Sequence, residues 1–189
     1  MTLTKLKILE KAFITNDLRR ICRAIDAAMM EYGLTKIARE ACVDRSTLFR
    51  AFRHGKGPSL HTMVTILRIL KVRLVVKVKF KLADQNTKRS NRRSDNLRDA
   101  KKSARALTVA FRSGNQCLVS KAFGETLRLQ ENVSEIARHT IRSREALYRA
   151  FSHPRDPQFS TALSFLNALG LRFALEKMTM FQAESVGSS

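Results

Sequence analysis

The sequence predicts a mainly α fold in which one five-helix unit occurs twice, each copy ending in a β-strand. Three observations predict this fold. The chain matches itself after a shift of 99 positions, without a gap from residue 33 to residue 76. The apolar residues of both copies recur mostly at the i, i+3, i+4 spacing of amphipathic helices. At the end of each copy the period changes to two, which is typical of a strand.

The internal repeat rests on identities that are spread over the whole unit. Ile37-Ala38-Arg39 aligns with Ile136-Ala137-Arg138, and Leu48-Phe49-Arg50-Ala51-Phe52 aligns with Leu147-Tyr148-Arg149-Ala150-Phe151. Chance can supply one such cluster, but not identities along a segment whose apolar positions also agree. We therefore expect two copies of one small domain in tandem.

Composition sets the expected domain boundaries. We expect domain 1 over residues 1–82, a basic flexible linker over 83–101, domain 2 over 102–181 and a disordered tail over 182–189. The linker segment is rich in cations and poor in apolar side chains, so it cannot bury a core. A linker of about 20 flexible residues spans roughly 25 Å, which lets the two domains lie side by side.

Two helices open each copy. The first is predicted by Leu3, Leu6, Leu9 and Phe13 in copy one and by Ala104, Leu107 and Phe111 in copy two. The second is predicted by Leu18, Ile21, Cys22, Ile25 and Met29, and by Val119, Ala122, Phe123 and Leu127. Gly33 and Asn132 fit the C-caps of the second helices, and Thr35 and Ser134 fit the N-caps of a short third helix.

A fourth and a fifth helix follow in each copy. Asp44 and Ser143 fit N-caps of the fourth helix, which carries Leu48, Ala51 and Phe52, or Leu147, Ala150 and Phe151. Pro58 and Pro157 end this helix. The fifth helix is predicted by Leu60, Met63, Val64, Leu67 and Leu70, and by Phe159, Ala162, Leu163, Leu166 and Leu169.

Each copy is expected to end in a strand with one buried and one solvent-facing side. The apolar set is Leu74, Val76, Val78, Phe80 and Leu82 in copy one and Leu171, Phe173 and Leu175 in copy two. A single strand per domain would leave its edges unpaired. We therefore expect the two strands to pair within the chain and to join the copies into a pseudo-dimer.

The charge of the chain points to a polyanionic partner. The formal net charge is +20, from 36 Lys and Arg residues against 16 Asp and Glu. Residues 1–94 hold 22 basic and 7 acidic residues, a balance of +15, whereas residues 95–189 hold 14 and 9, a balance of +5. The first half is therefore the stronger candidate to bind nucleic acid, with a merely solubilising charge as the alternative.

Several other classes of protein are disfavoured. No apolar run approaches the roughly 20 residues of a membrane span, and the start lacks the pattern of a secretory signal, so we expect a cytoplasmic protein without a membrane partner. Cys22, Cys42 and Cys117 form no Cys-x-x-Cys pair and are expected to be buried thiols. The histidines lack metal-ligand spacing, and no Gly-rich phosphate loop is present. We expect no metal, no cofactor and no enzymatic activity.

The third and fourth helices of each copy form a helix-turn-helix pattern, whose second helix enters the major groove of DNA. With Leu48 and Phe52 facing the core, helical geometry turns Arg50 outward. An outward Arg can bind guanine O6 and N7, whereas hydroxyls and Lys at the start of the third helix suit phosphate. The candidate DNA-binding residues are Thr35, Lys36, Arg45, Ser46, Thr47, Arg50, Arg53, Ser134, Arg144, Glu145 and Arg149. A helical bundle with solvated basic faces is the alternative.

These residues resemble the small helix-turn-helix antidote (antitoxin) proteins of bacterial addiction modules, which are related to Cro-like repressors. Copy two is most similar, through residues 134–138, 143–151, 156–161 and 166–171, and copy one shares the frame through residues 35–39, 45–52 and 57–58. The resemblance implies a five-helix DNA-binding domain that dimerises, binds its own promoter region and neutralises a toxin, in the bacterial cytoplasm at the nucleoid. Members typically carry one copy per chain, so this chain resembles a covalently fused dimer.

The chain departs from the family pattern in the turn of the motif. Members usually have Gly and then an apolar residue there, where this chain has Cys42-Val43 and Ile141-Arg142. Because a β-branched residue tolerates a left-handed backbone poorly, we expect the second turn to be reshaped. Glu145 also brings negative charge towards phosphate, so copy two is expected to be a weaker reader of DNA or a module that binds protein.

Two functions remain open from the sequence. The first is a sequence-specific transcriptional regulator, most simply a repressor, that binds double-stranded operator DNA through both copies. The second is a protein-interaction antagonist: an antitoxin that neutralises a toxin, or an antiactivator that sequesters a transcriptional activator, with copy two adapted to protein. The charge asymmetry favours DNA binding by copy one and leaves copy two open.

Overall fold

The computed structural model describes residues 3–53, 57–79, 90–152 and 155–178. In chain order its elements are α1 (Leu3–Thr15), α2 (Leu18–Tyr32), α3 (Leu34–Glu40), α4 (Arg45–Arg53), α5 (Leu60–Ile69), β1 (Val72–Val78), α6 (Ser90–Ser113), α7 (Gln116–Arg128), α8 (Val133–His139), α9 (Arg144–Ala150), α10 (Phe159–Ala168) and β2 (Leu171–Lys177). The order of five helices and one strand therefore occurs twice in these ranges. We call residues 3–79 the first half and residues 90–178 the second half.

The second helix of the first half has well-defined ends. Asp17 precedes α2, and its side chain accepts a hydrogen bond from the backbone N–H of Arg20 at 2.9 Å. This bond lowers the pKa of the Asp17 carboxyl from its ordinary value. Gly33 ends α2 with a φ of +102°, which glycine adopts without a side-chain clash, so the predicted C-cap is confirmed.

The caps predicted for the third helices are wrong. α3 begins at Leu34 and α8 at Val133, so Thr35 and Ser134 lie inside the first turn rather than at an N-cap. Asn132 is the N-cap of α8 and not the C-cap of α7, which ends at Arg128. The helices begin earlier than predicted because Leu34 and Val133 pack against the core and so belong to the helix.

Part of the predicted linker is helical. α6 runs from Ser90 to Ser113, so residues 90–101 belong to a helix and not to a flexible linker. This stretch contains neither Gly nor Pro, and its Arg, Lys and Ala residues are good helix formers, although its polarity resembles that of a linker. Residues 83–89 and the predicted tail over 182–189 lie outside the described ranges, and the domain boundaries stay predictions.

The two strands pair antiparallel within the chain, as predicted. The register runs from Val72 opposite Lys177 to Val78 opposite Leu171, with Val75 opposite Ala174 at its centre. Residues that are 99 positions apart lie at symmetric places on either side of this centre. Residue 72 corresponds to residue 171, for example, and residue 78 to residue 177. The sheet therefore has a pseudo-twofold axis through the pair formed by Val75 and Ala174.

A second contact between the halves obeys the same axis. Ser59 and Gln158, which are 99 positions apart, form an antiparallel bridge. On either side of it, the Leu60 N–H donates to the Pro157 carbonyl at 2.8 Å, and the Phe159 N–H donates to the Pro58 carbonyl at 3.0 Å. The two prolines thus occupy equivalent places, and each accepts a hydrogen bond from the other half.

The first helix of each half crosses to the strand of the other half. α1 packs against β2, and α6 packs against β1. One aromatic contact also crosses between the halves, since Phe13 of α1 meets Phe159 of α10 edge to face with ring centroids 6.3 Å apart. Within the second half, Phe111 of α6 meets Phe173 of β2 edge to face at 5.8 Å. The two halves therefore share one interdigitated core.

The prediction that one side of the sheet faces solvent is wrong. Leu74, Val76, Phe173 and their neighbours are buried, but Arg73, Val75 and Ala174 on the opposite side are buried as well. The centre of the sheet is therefore buried on both sides. β1 ends at Val78. Phe80 and Leu82, which the alternation also assigned to the strand, lie outside the described residues.

The cysteines differ from one another. Cys22 is buried, and burial raises the pKa of its thiol to about 11. The prediction of buried thiols is wrong for Cys42, which is exposed in the turn after α3, and for Cys117, which is exposed in the first turn of α7. Within the described ranges, no helix is both long and apolar enough to cross a membrane.

Candidate nucleic-acid interface

The turn between α3 and α4 is closed by backbone hydrogen bonds. The Cys42 N–H donates to the Arg39 carbonyl at 3.2 Å, and the Val43 N–H donates to the Ala38 carbonyl at 3.0 Å. Together with the φ of +52° at Cys42, these bonds form a Schellman motif, which satisfies the last carbonyl groups of α3. The direction of α4 relative to α3 is therefore fixed by main-chain geometry.

The turn between α8 and α9 is the same, which overturns the expectation that it is reshaped. The Ile141 N–H donates to the Arg138 carbonyl at 3.1 Å, and the Arg142 N–H donates to the Ala137 carbonyl at 3.0 Å. Ile141 has a φ of +53° and is 94% exposed. The hydrogen bonds of the motif outweigh the cost of a β-branched side chain in the left-handed region.

The second helix of each motif buries one side and exposes the other. Leu48 and Phe52 of α4, and Leu147 of α9, are buried in the core. The opposite sides carry the residues that the sequence assigned to DNA, and all of them are exposed: Arg45, Ser46, Thr47, Arg50 and Arg53 on α4, and Arg144, Glu145 and Arg149 on α9. Helical periodicity therefore places these residues on the surface, and their contact with DNA stays a prediction.

The N-terminal cap of α9 matches its prediction. The Ser143 Oγ accepts a hydrogen bond from the Ala146 N–H at 3.1 Å. This bond satisfies one of the free N–H groups at the start of the helix. In the first half α4 begins directly after Asp44, as predicted, and the Asp44 carbonyl accepts from the Leu48 N–H at 3.0 Å.

Two of the predicted DNA contacts are already engaged with protein groups. The Arg53 Nε donates to Asp26 Oδ2 of α2 at 2.9 Å, and the guanidinium lies 4.7 Å above the Phe49 ring. Lys36 lies 5.0 Å from the Tyr32 ring and also 4.0 Å from the Glu40 carboxylate. Arg53 therefore fastens α4 to α2, whereas Arg45 and Arg50 are the α4 arginines that no described contact draws away from solvent.

α4 and α9, the two helices that the sequence assigned to DNA contact, differ in charge. α4 contains Arg45, Arg50 and Arg53 and no acidic residue, whereas α9 contains Arg144, Glu145 and Arg149. The formal charge is thus +3 on α4 and +1 on α9. Equal exposure with unequal charge predicts that α4 attracts phosphate more strongly.

The halves also differ where these helices meet the helix behind them. In the first half the Arg53–Asp26 ion pair joins α4 to α2. In the second half Gly124 of α7 lies so close to α9 that an added Cβ would come within 3.2 Å of the Phe151 carbonyl oxygen. Phe151 stacks on Phe123 of α7, with ring centroids 4.9 Å apart. An ion pair in one half is replaced by close apolar packing in the other.

Sequence reasoning missed a cationic groove at the second turn. The groove has a volume of about 490 Å³ and is lined by Ser134, Ala137, Arg138, Ile141, Arg142, Ser143 and Arg144. Arg142 stands at the position of Val43, and Ser143 at that of Asp44, so this turn is more basic than its counterpart. The aligned repeats contain the signal, since Arg142 replaces Val43, but helical periodicity makes no prediction for residues of a turn.

Other chemistry is not assembled in the described part of the chain. No three His, Cys, Asp or Glu side chains come close enough there to hold a metal ion. His61 and His139 lie on different halves, and His54 and His153, which the repeat aligns, lie outside the described residues. The candidate interface is therefore one of exposed Arg, Lys and hydroxyl side chains.

Comparison with known proteins gives two matches. A family model described as "Probable addiction module antidote protein" matches two regions of the chain, residues 5–78 and 88–177. An uncharacterized protein of Haemophilus influenzae is 35% identical over 71 residues, which is 38% of this chain and 72% of that protein. No solved structure matches the chain significantly. The two matched regions correspond to the first and second halves.

Proposed function

Because the chain belongs to the family of probable addiction module antidote proteins, we propose that it is a DNA-binding antidote that represses its own operon. In this proposal α3–α4 and α8–α9 are two helix-turn-helix motifs of tandem domains, and one chain acts as a pseudo-dimer on operator DNA. The family indicates a regulatory protein rather than an enzyme. The proposed site of action is the bacterial cytoplasm, at the nucleoid.

The pseudo-twofold axis of the sheet is the observation that supports this proposal best. Dimeric helix-turn-helix proteins bind two half-sites whose symmetry mirrors their own. Here one axis relates β1 to β2, and the bridge between Ser59 and Gln158 obeys it as well. The two motifs have the same turn hydrogen bonds, so a single chain offers two similarly built helices to a roughly palindromic operator.

A mobility-shift series with DNA from upstream of the gene tests the proposal. We expect specific retardation whose affinity falls steeply with salt, because Lys and Arg contacts release counterions from phosphate. Arg50→Ala should cost about 1 to 3 kcal/mol of specific binding through the loss of a base contact. Arg149→Ala is the matched variant at the equivalent position, and it should cost less because Glu145 lies on the same helix face.

Two results would contradict this reading. Absence of retardation at low salt would show that the chain does not bind this DNA. Equal losses for Arg50→Ala and Arg149→Ala would retain DNA binding but show that the charge difference between α4 and α9 does not govern the contribution of each helix.

Toxin neutralisation is the second candidate function, and family membership favours it because an antidote implies a toxin partner. Relief of growth arrest would test it, with co-expression of this chain and the product of the neighbouring gene. An Arg50→Ala chain should still relieve the arrest if toxin and DNA bind at separate surfaces. Failure of the wild-type chain to relieve arrest by a toxic neighbour would contradict this function and leave DNA binding standing.

A further inference from the structure

A groove between α6 and the sheet lies outside both turn motifs. It has a volume of about 670 Å³ and is lined by Val76, Lys77, Val78, Lys101, Ala104, Arg105, Thr108, Val109, Arg112 and Arg172. We call it the α6 groove. Its apolar part includes Val109, which is 66% exposed although it stands beside buried Val76 and Ala104. The α6 groove therefore combines exposed apolar surface with a group of cations.

The cations of the α6 groove have no acidic residue among them. Five of the ten lining side chains are Lys or Arg, and none of the ten is Asp or Glu. Lys77 and Arg172 stand directly opposite each other in the strand ladder. Like charges in that position repel each other and destabilise the pair. This end of the sheet therefore carries an unbalanced positive charge.

The other end of the sheet shows how such a charge is balanced. The pseudo-twofold axis relates the Lys77–Arg172 pair to the pair formed by Arg73 and Glu176. Glu176 supplies the opposite charge there, and it also accepts two hydrogen bonds from Arg112 at 2.8 and 3.1 Å. Lys77 thus stands at the position where symmetry would put a carboxylate. A carboxylate from another molecule would complete the charge pattern.

We propose that the α6 groove is the docking surface for an acidic, amphipathic segment of the chain's protein partner, an inference that rests on the proposed toxin-binding function. Carboxylates of the segment pair with Lys77 and Arg172, and its apolar side chains cover Val78 and Val109. Both parts of the groove are then used, since charge gives specificity and apolar contact excludes water.

Charge and apolar lining favour this occupant over two others. Duplex DNA would neutralise the cations but would leave the exposed Val109 without an apolar partner. The chain's own residues 80–89, between β1 and α6, carry Lys81, Lys88 and Arg89 against Asp84, so their net charge has the same sign as that of the groove. An acidic segment with apolar residues matches both properties.

Binding of a labelled short peptide of alternating Glu and Val to the full-length protein tests the proposal. Lys77→Glu should weaken peptide binding about tenfold or more, because an attraction becomes a repulsion. The same variant should keep or raise the melting temperature, since it copies the balanced Arg73–Glu176 pair. Lys11→Glu, an equal charge change on α1 outside the groove, should leave peptide binding within about twofold of wild type.

A second variant and a second probe test the apolar part. Val109→Ser should weaken binding of the Glu–Val peptide but not that of a Glu–Ser peptide of equal length. Equal weakening by Lys77→Glu and Lys11→Glu would overturn the proposal, because it would show non-specific attraction to a basic protein. Equal affinity for the two peptides would also overturn it.

Operator binding measured on the same proteins separates this inference from the proposed function. We expect Lys77→Glu to retain the retardation of operator DNA while it loses the peptide. Loss of DNA binding without loss of the peptide would assign the groove to nucleic acid and overturn the docking proposal. A wild-type chain that binds the peptide but no DNA would contradict the repressor function alone and would support the groove as a protein site.

Discussion

At the scale of single residues, the two motif turns show how local strain is accommodated. Cys42 and Ile141 have nearly the same positive φ, although one is unbranched and the other β-branched. Ile141 gains no burial in return, because it is almost fully exposed. A residue in the left-handed region costs about 1 to 2 kcal/mol unless it is glycine. The second turn therefore stores strain that the hydrogen bonds around it maintain.

This strain predicts the effect of Ile141→Gly. The substitution should raise the free energy of unfolding by about 1 kcal/mol, since the relief of the left-handed strain exceeds the entropy that glycine loses on folding. Chemical denaturation followed by circular dichroism would measure it. Ile8→Gly is the control, because Ile8 is also exposed but lies within α1, where glycine should cost about 1 kcal/mol. A destabilised Ile141→Gly protein would show that the Ile side chain makes a stabilising contact.

At the scale of elements, the outer edge of β1 depends on one side chain of α6. The Thr108 Oγ1 accepts a hydrogen bond from the Val76 N–H at 3.0 Å and donates to the Val76 carbonyl at 3.2 Å. These main-chain groups face away from β2, so β2 cannot satisfy them. A helix from the other half thereby protects a strand edge that would otherwise be open to association.

Replacement of this hydroxyl tests the role of α6. Thr108→Val keeps the shape of the side chain but leaves the Val76 N–H and carbonyl without their partner, so it should destabilise the protein by about 1 to 3 kcal/mol. Thr65→Val on α5 is a matched change in a half-buried helical threonine, and it should cost less than about 1 kcal/mol. Equal costs, measured by urea denaturation, would mean that the edge of β1 does not depend on Thr108.

At the scale of the whole molecule, the exchange of α1 and α6 between the halves favours one cooperative unit. Each strand is covered by the first helix of the other half: α1 lies on β2, and α6 lies on β1. Both strands also depend on each other for hydrogen bonds. We therefore expect the halves to unfold together, in contrast to two domains on a flexible linker.

The two tyrosines provide a reporter for each half. Tyr32 lies in α2 and Tyr148 in α9, and the chain contains no tryptophan. Tyr32→Phe and Tyr148→Phe proteins should show coincident fluorescence transitions in denaturant, and Val76→Asp should shift both, because it buries a charge at the shared sheet. Separate transitions would contradict a single core.

Light scattering should find one chain per particle in dilute solution. A stable dimer of full-length chains would mean that the strands also pair between chains.

Sequence periodicity was sufficient for the features that depend on local pattern. The change to a period of two located both strands, the unpaired edges of one strand per copy predicted their pairing, and helical spacing placed Arg50 and Arg149 on exposed sides. These inferences succeed because a repeated helix or strand must bury its apolar side wherever it packs. The function of the exposed sides does not follow from the pattern and stays a proposal.

Tertiary structure decided the features that depend on a distant neighbour. The polar residues 90–101 are helical as part of α6, whose C-terminal half packs on β1, and Arg53 is engaged because Asp26 lies beside it on another helix. The same holds for Lys77, whose unbalanced charge is visible only when the register places Arg172 opposite it. The apolar pattern of a sequence states which side of an element is buried. Which element covers that side, and which charge lies across from it, is determined by the packing of segments far apart in the chain.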